Sequence, residues 1–492
     1  VFYTQSARFS PAGLAVATLF VLWLGGCSNV GFITPNPPGK SVEQEAEEKD
    51  SPEKKTDFQS QSPDKKELSG SSSTSRADSS SEPIDFYTVF SESESKPAEP
   101  GEFFVATKRV RIALERNVDR CLFYTASPVK ILGRAKSGGN LLKGRVVVEA
   151  RGNAAEATLT SGSGSFSVSL PCTLQASSGI NYFEFKEKNY RGSVVLVREK
   201  HGTISLLNYL DVEQYLRGVV PLEIGPRKPE ESAAVKAQAV VARTYTYRRM
   251  LDRREGPFDL LPTVADQVYG GVSAERQESD RAILATSDLI LCFEGEPIHA
   301  FYHSTCGGMT ANIEDVWERG AQPYLVARPD IDENGEAYCS ISTYFEWTEN
   351  WNTSHLSAIL AKYGPSAFPD YQPFRGTIRK LSVGDTYACG RVRSCMVKAE
   401  SGDYRYGGDK IRFAFRRAVS GRPILRSSRF RVEDCNGSTV RLRGWGYGHG
   451  IGMCQMGAVG RARAGQTYRE ILQAYYADVD EAVVKLLPPG RG

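Results

Sequence analysis

A chain of 492 residues that is 40% hydrophobic, 24% charged and 10% aromatic is long enough for two or three ordinary domains and can bury a substantial core. That composition excludes a fibrous or wholly disordered polypeptide. The formal net charge is only +3, yet residues 41–100 hold 15 acidic against 7 basic side chains. The positive surplus therefore falls on residues 101–492 and suits an anionic polymer: nucleic acid, acidic lipid or acidic glycan.

At the N-terminus Arg8 precedes the apolar stretch Leu14–Leu24, which is too short to span a bilayer comfortably and ends in Leu24-Gly25-Gly26-Cys27. This is the layout of a lipoprotein signal over residues 1–27, with cleavage before Cys27 and lipid on its thiol. A plain secretory signal or an uncleaved anchor is the alternative. Ser28 is not the acidic residue associated with inner-membrane retention, so the expected address is extracytoplasmic, on the outer membrane. Residues 28–100 are rich in Ser, Glu, Lys and Pro and cannot bury enough apolar surface to order, so a disordered acidic tether is expected. Export also places the remaining nine cysteines in an oxidising compartment. Their number is odd, and Cys389 with Cys395, which bracket a short Gly-containing turn, form the expected bridge.

Residues 101–210 alternate short apolar runs such as Val110-Arg111-Ile112 and Gly144-Arg145-Val146-Val147-Val148 with Gly, Asn and Ser, which predicts a strand-rich part. The clearest helix spans Pro229–Arg254: Pro229, Glu230 and Glu231 suit a first turn, and the Ala-rich run to Met250 has high helical propensity. A last helix is predicted over Tyr468–Tyr476. Residues 211–480 are read as the catalytic part, 481–492 as a tail, and the fold class as α+β with one prominent helix.

Just before that helix stands Val219-Val220-Pro221-Leu222-Glu223-Ile224-Gly225. A carboxyl ringed by apolar side chains has its charged form disfavoured, so Glu223 could hold a proton near neutral pH and give it to a leaving oxygen. The alternative is a surface carboxylate drawn to a helix entrance by the dipole. Lys236 and Arg243 lie two turns apart on the helix and share a face.

Further on, Gly444-Trp445-Gly446-Tyr447-Gly448-His449-Gly450-Ile451-Gly452 alternates glycines with aromatic and polar residues. Such a backbone can take positive φ and approach a ligand closely, and aromatic rings with polar tips suit a sugar groove; tight packing is the alternative. It fits neither G-x-G-x-x-G nor Walker A, which disfavours a nucleotide loop. In Ile298–Cys306, His299, Phe301 and His303 would share one face of a strand. His303, Cys306, Cys339 and His299 could hold a structural zinc, but the spacing matches no zinc pattern, so no metal is assigned and none is required. Asp266-Gln267-Val268-Tyr269-Gly270-Gly271 could line the same cleft or form a turn. No G-x-S-x-G elbow occurs, which disfavours a serine hydrolase. A glycosidase pair would need a second carboxylate, and Glu213, Glu230 and Glu231 are only the nearest acids.

Taken in order, Tyr215–Glu223, Ala234–Tyr245, Asp266–Gly271, Tyr302–Gly308 and the Gly444–Gly457 stretch resemble the SpoIID/LytB family of extracytoplasmic cell-wall proteins over most of residues 105–480. The resemblance implies a peptidoglycan lytic transglycosylase acting on glycan strands stripped of stem peptides, with Glu223 as general acid and base. Lys236 and Arg243 match helix positions implicated in activity, and could read the lactyl carboxylate that a denuded muramic acid exposes. The groove would be lined by these two with Tyr245, Asp266, Gln267, Tyr269, His303, Ser304, His449 and Gln455. The rival implied by the same family is a non-enzymatic module that binds peptidoglycan and recruits or stimulates an amidase. Nucleic acid is disfavoured as a partner because export removes it. Two departures stand out: the family's common Glu-Met-Pro is here Glu223-Ile224-Gly225-Pro226, and residues 384–400 look like a local addition. Some relatives hold zinc near the His-Ser-Thr-Cys segment, without a ligand set that transfers here.

Overall fold

Ten antiparallel strands between Arg109 and Asp211 form one sheet, because their apolar residues alternate and put one face into a core. The computed structural model describes residues 99–488 apart from 133–140, 153–154, 178–181, 318 and 422. The expected signal with Cys27, and the tether as far as residue 98, lie outside the described residues. Eight strands run in the spatial order Arg109–Val118, Ile204–Asp211, Ser193–Arg198, Cys172–Ala176, Arg120–Leu132, Leu141–Arg151, Glu156–Ser161 and Gly164–Ser169. The hairpin Tyr182–Phe185 with Lys188–Arg191 joins them through Arg120–Leu132. The predicted strand-rich part is thus a continuous sheet.

From its last strand the chain turns into Val212–Arg217, capped by Asp211, then the single turn Val220–Ile224, then a 3-10 turn Pro229–Glu231 and the long helix Ser232–Asp252. Nearly every residue from Ala237 to Tyr247 is buried, so this helix has no solvent face over most of its length. The hydroxyls of Thr244 and Thr246 satisfy themselves on the carbonyls of Val240 and Ala242 within the helix. Three helices of nine residues or more, Gln277–Ala285, Thr353–Ala367 and Gln455–Arg463, and two single turns, Ile313–Val316 and Ile411–Ala414, lie where no helix was predicted. The last helix runs Tyr468–Tyr475 behind a capping box made by Thr467 and Glu470.

Two corrections concern boundaries. The predicted tail from 481 is not a tail: Asp480–Leu486 is a strand, parallel to Gly101–Val105 and antiparallel to Leu289–Phe293, with Ala482 and Val484 buried. Within residues 211–480 a second hydrophobic core gathers Trp347, Trp351, Leu356, Ile359, Phe415 and Leu442. The segment 384–400 belongs to it in part, through the antiparallel strands Ile378–Val383 and Ser394–Ala399. This also undoes the expected Cys389–Cys395 bridge. Both thiols are free, Cys389 packed in the first core and Cys395 in the second.

Candidate active site

Glu223 sits in the one-turn helix Val220–Ile224, which Pro221 starts and Gly225, at φ 74°, ends. Glu223 is only partly accessible, and its neighbours Val220, Pro221 and Ile224 are buried. The backbone N–H of Val268 donates to its Oε1 at 2.8 Å. Tyr302 offers its hydroxyl to the same carboxyl. Removal from water outweighs both hydrogen bonds, and the pKa is raised to about 7.

The segment that delivers Val268 is the Asp266–Gly271 motif, which docks on the turn before Glu223. The N–H of Gly270 donates to the carbonyl of Gly218 at 3.0 Å, and any Cβ on Gly218 would meet the Tyr269 ring at 2.5 Å. Gln267 donates to the Tyr302 hydroxyl at 3.4 Å while its carbonyl accepts from Thr246 at 3.0 Å. Gln455 donates to the Glu223 backbone carbonyl at 2.9 Å and to Gln238 Oε1 at 3.2 Å. Burial, reinforced by Glu223, pushes the Tyr302 hydroxyl well up, so it stays protonated and can donate. Glu223, Gln267, Gln455 and Tyr302 therefore form one network. Tyr302 carried no sequence signal beyond its place in Tyr302-His303-Ser304.

Other predicted groove residues are placed elsewhere. Arg243 is fully buried; its Nε and Nη2 hold Glu213 at 2.6 and 2.7 Å, and Nη1 donates to the Leu289 carbonyl at 3.1 Å. With the whole guanidinium committed, it braces the long helix and cannot read a glycan carboxylate. Asp266 is likewise buried between Arg249 and Arg253, at 2.7 and 2.8 Å, and accepts from the Tyr245 hydroxyl at 3.1 Å. Tyr269 is a core ring whose hydroxyl donates to Asn208 at 3.0 Å. These three side chains organise the floor rather than line the groove. Lys236 differs: it keeps part of its surface open and has no ion-pair partner among the described residues. A cavity of about 290 Å³ opens beside the Glu223 turn, lined by Leu222, Gly225, Arg227, Val235 and Arg276 among others.

The Gly-rich stretch also takes a different role from the one expected. Gly446, Gly448 and Gly452 have φ of 79°, 115° and 66°, and a Cβ on them would strike the Thr305 carbonyl, His303 and the Phe301 carbonyl at 2.5, 2.7 and 2.1 Å. The close approach is to the chain's own 301–306 segment, so packing demands the glycines. His449 is buried, its Nε2–H donating to the Tyr302 carbonyl at 2.9 Å and its Nδ1 accepting from the Ile451 N–H at 3.1 Å. His303 bonds the Ile451 carbonyl through Nδ1 at 3.2 Å, and burial pushes it down to about 3. Both imidazoles stay neutral and serve packing, His449 holding the Tyr302 backbone and His303 the Ile451 carbonyl. Ser304 is partly buried with its hydroxyl on Thr305 at 3.2 Å. His299 stacks on Phe301, away from His303, so the two do not converge on one ligand. The residues here that could hold a metal are instead Cys306, Asp330, Cys339 and Cys454, all buried, with ligand atoms within 4.8 Å of one another. Cys306 and Cys339 were foreseen as candidates; Asp330 and Cys454 were not.

Residues 200–293 match the family model SpoIID, described as Stage II sporulation protein. Residues 334–452, which include the second core, match a domain of unknown function, DUF8618. The chain is 32% identical over 292 residues to an uncharacterized protein of Brachyspira hyodysenteriae, covering 59% of this chain and 72% of that one. It is 29% identical over 289 residues to the stage II sporulation protein D of Bacillus amyloliquefaciens, covering 55% and 74%. Similarity at 28% over 289 residues extends to the amidase enhancer of Bacillus subtilis, covering 53% of this chain and 39% of that protein.

Proposed function

The chain belongs to the SpoIID family, and from that premise we propose that it is a lytic transglycosylase of the bacterial cell envelope, cutting peptidoglycan glycan strands that have lost their stem peptides. One observation carries the reading: Glu223 is a single carboxyl whose pKa burial raises to about 7, while Asp266, the acid of the neighbouring motif, is tied up by Arg249 and Arg253. A hydrolytic glycosidase needs two carboxylates, about 5–9.5 Å apart, to protonate the leaving oxygen and to supply a nucleophile or activate water. One acid suffices when the nucleophile is the sugar's own hydroxyl.

In this mechanism protonated Glu223 gives its proton to the oxygen linking the muramyl C1 to N-acetylglucosamine, and that C1–O bond breaks. The resulting carboxylate takes the proton of the muramyl C6 hydroxyl as O6 closes on C1, leaving a 1,6-anhydromuramyl end. Glu223 returns to its starting state and no water is consumed. The Val268 N–H and the Tyr302 hydroxyl lower the cost of the anion between the two transfers, while the apolar wall keeps the resting acid protonated.

Mass analysis of purified strands after incubation with the protein tests the reading. Anhydromuramyl ends support it, reducing ends would indicate hydrolysis, and tight binding without cleavage would favour the recruiting module. The similarity to an amidase enhancer motivates that second reading; stimulation of a purified amidase on intact walls is its own assay. Because the acid form acts, kcat/KM should fall about tenfold per pH unit above roughly pH 7. A profile flat to pH 9 would remove Glu223 from the acid role.

The lactyl carboxylate of denuded muramic acid calls for a cation, and Lys236 is the helix residue left to meet it. Lys236→Ala is expected to weaken binding of denuded strands roughly tenfold at low salt, the worth of a charge-assisted hydrogen bond. Strands whose lactyl carboxyls are blocked as amides should show no such difference; an equal loss on both would assign Lys236 another role. Membrane attachment through Cys27 remains part of this proposal, tested by labelling with a radioactive fatty acid in wild type and Cys27→Ala.

A further inference from the structure

Cys306, Cys454 and the pair Asp330 and Cys339 come from three separate parts of the chain, yet their Sγ and carboxylate atoms lie within 4.8 Å of one another. The Cys306 and Cys339 sulfurs are 3.5 Å apart, and Asp330 Oδ2 is 3.2 Å from the Cys306 sulfur. In a tetrahedron with metal–sulfur bonds of about 2.3 Å and a metal–oxygen bond of about 2.0–2.2 Å, ligand atoms stand roughly 3.5–3.8 Å apart. We propose that these four residues bind one divalent ion of the zinc class in a closed, structural site. This assignment stands apart from the glycan chemistry and does not depend on it.

The surroundings are those of a metal-thiolate site, not of three idle thiols. All four residues are fully buried. Backbone N–H groups point at the sulfurs: Cys306 and Gly457 donate to the Cys454 sulfur, each at 3.2 Å, and Gly308 donates to the Cys306 sulfur at 3.3 Å. A thiolate needs such donors, whereas a neutral thiol accepts only weakly. Two of these donors lie on the turn Cys306-Gly307-Gly308, with φ of 77° and 95° at the two glycines, and Gly457 lies in the first turn of the helix Gln455–Arg463. Asp330 is oriented from behind, its Oδ1 accepting from Arg461 at 3.0 Å and from the Tyr475 hydroxyl at 2.9 Å, which turns Oδ2 toward the sulfurs. The Arg461 cation also offsets part of the ligand charge. Room for the carboxylate is kept by Gly457, where a Cβ would lie 2.1 Å from Oδ2 and 2.2 Å from the Tyr475 hydroxyl. Three soft sulfurs select zinc-class ions over calcium or magnesium, and a complete set of four protein ligands leaves no open position for catalysis.

The place of the site gives it a purpose. Cys454 ends one of two short strands that pair in parallel, Tyr302 with Met453 and His303 with Cys454, and Cys306 follows the other by three residues. Tyr302 meets the Glu223 carboxyl and Gln455 meets the Glu223 carbonyl. The ion would clamp these segments where the chain leaves for the second core and returns, holding the back of the Glu223 network.

Elemental analysis of the full chain, purified without chelator, is the test, combined with thiol titration in denaturant. About one zinc per chain is expected, released by a thiol-specific mercurial. After the native protein is loaded with cobalt alone, the visible spectrum should show a thiolate-to-cobalt charge-transfer band with the intense d–d bands of a tetrahedral site. Asp330→Asn and Cys454→Ser should lower the stoichiometry, while Cys435→Ser, outside the cluster, should not. Because the ligand variants could misfold, the wild-type cobalt spectrum decides independently. Metal-free protein giving a peptide linked through Cys306 and Cys339 would overturn the site in favour of a disulfide, and so would metal-free protein with all its thiols titratable.

Discussion

Glu223→Gln is expected to lose glycan cleavage by about 10³-fold or more, keep affinity within about threefold, and become more stable than the wild type above neutral pH. The amide keeps an oxygen for the Val268 N–H, so the pocket survives, but it has no acidic proton to give and no lone pair basic enough to take one. Removal of a positioned acid/base group typically costs 10²–10⁴-fold, and here one group serves both transfers. The stability gain follows from linkage. The folded carboxyl titrates near 7 against an ordinary 4.5, so folding carries no penalty below about pH 4.5, where both states are protonated. The penalty grows as pH rises and is complete above about 7, with an upper bound of about 3 kcal/mol for a shift of this size. Urea midpoints for the two proteins should coincide near pH 4 and separate by pH 8, with Gln the higher. Equal midpoints at both pH values would mean that Glu223 is not held protonated, and would take the acid role away with it.

The second large effect is predicted for a residue matched to the family's activity positions. Arg243→Ala should destabilise the fold by about 3–5 kcal/mol, the usual cost of removing one partner of a buried ion pair. It would leave the Glu213 carboxylate without its bidentate partner, the Leu289 and Ile283 carbonyls without a donor, and a void beneath the long helix. Any loss of activity would then follow loss of structure, on denuded and peptide-bearing strands alike. Arg243→Lys should recover only part of the stability, since an ammonium cannot make the two parallel bonds to Glu213. Denaturant midpoints of the two variants check this. A variant as stable as the wild type but selectively impaired on denuded strands would put Arg243 back at the substrate.

The strand-rich part and the helix after Glu223 were legible because each rests on a local rule, alternation in a half-buried sheet and Ala-rich propensity, and the last helix was read as well. Glu223 was legible through its apolar neighbours and its order among the motifs. The helices Gln277–Ala285, Thr353–Ala367 and Gln455–Arg463 were not, and two of them have local reasons. Thr353–Ala367 contains Pro365 close to its end, and Gln455–Arg463 follows a glycine-rich run that argues for a loop. The strand Asp480–Leu486 went unread because its pairing partners lie some 190 and 380 residues away.

The amino-acid sequence by itself determined the local elements and which residue types were available for chemistry: a carboxyl among apolar residues, a basic helix, glycines at every second position of one stretch, and cysteines without obvious partners. It could not say which charge faces which. Arg243 and Lys236 share a helix and a sign, yet one is enclosed against Glu213 and the other keeps an open surface, because helix packing decides which side chains lose their water. Likewise the glycines allow close approach in any setting, but only the fold shows that the surface approached is the segment carrying Tyr302 and Cys306. The gathering of Cys306, Asp330, Cys339 and Cys454 has the same origin. Residues separated by up to 148 positions meet only when two segments pair, and no spacing rule along the chain records that meeting.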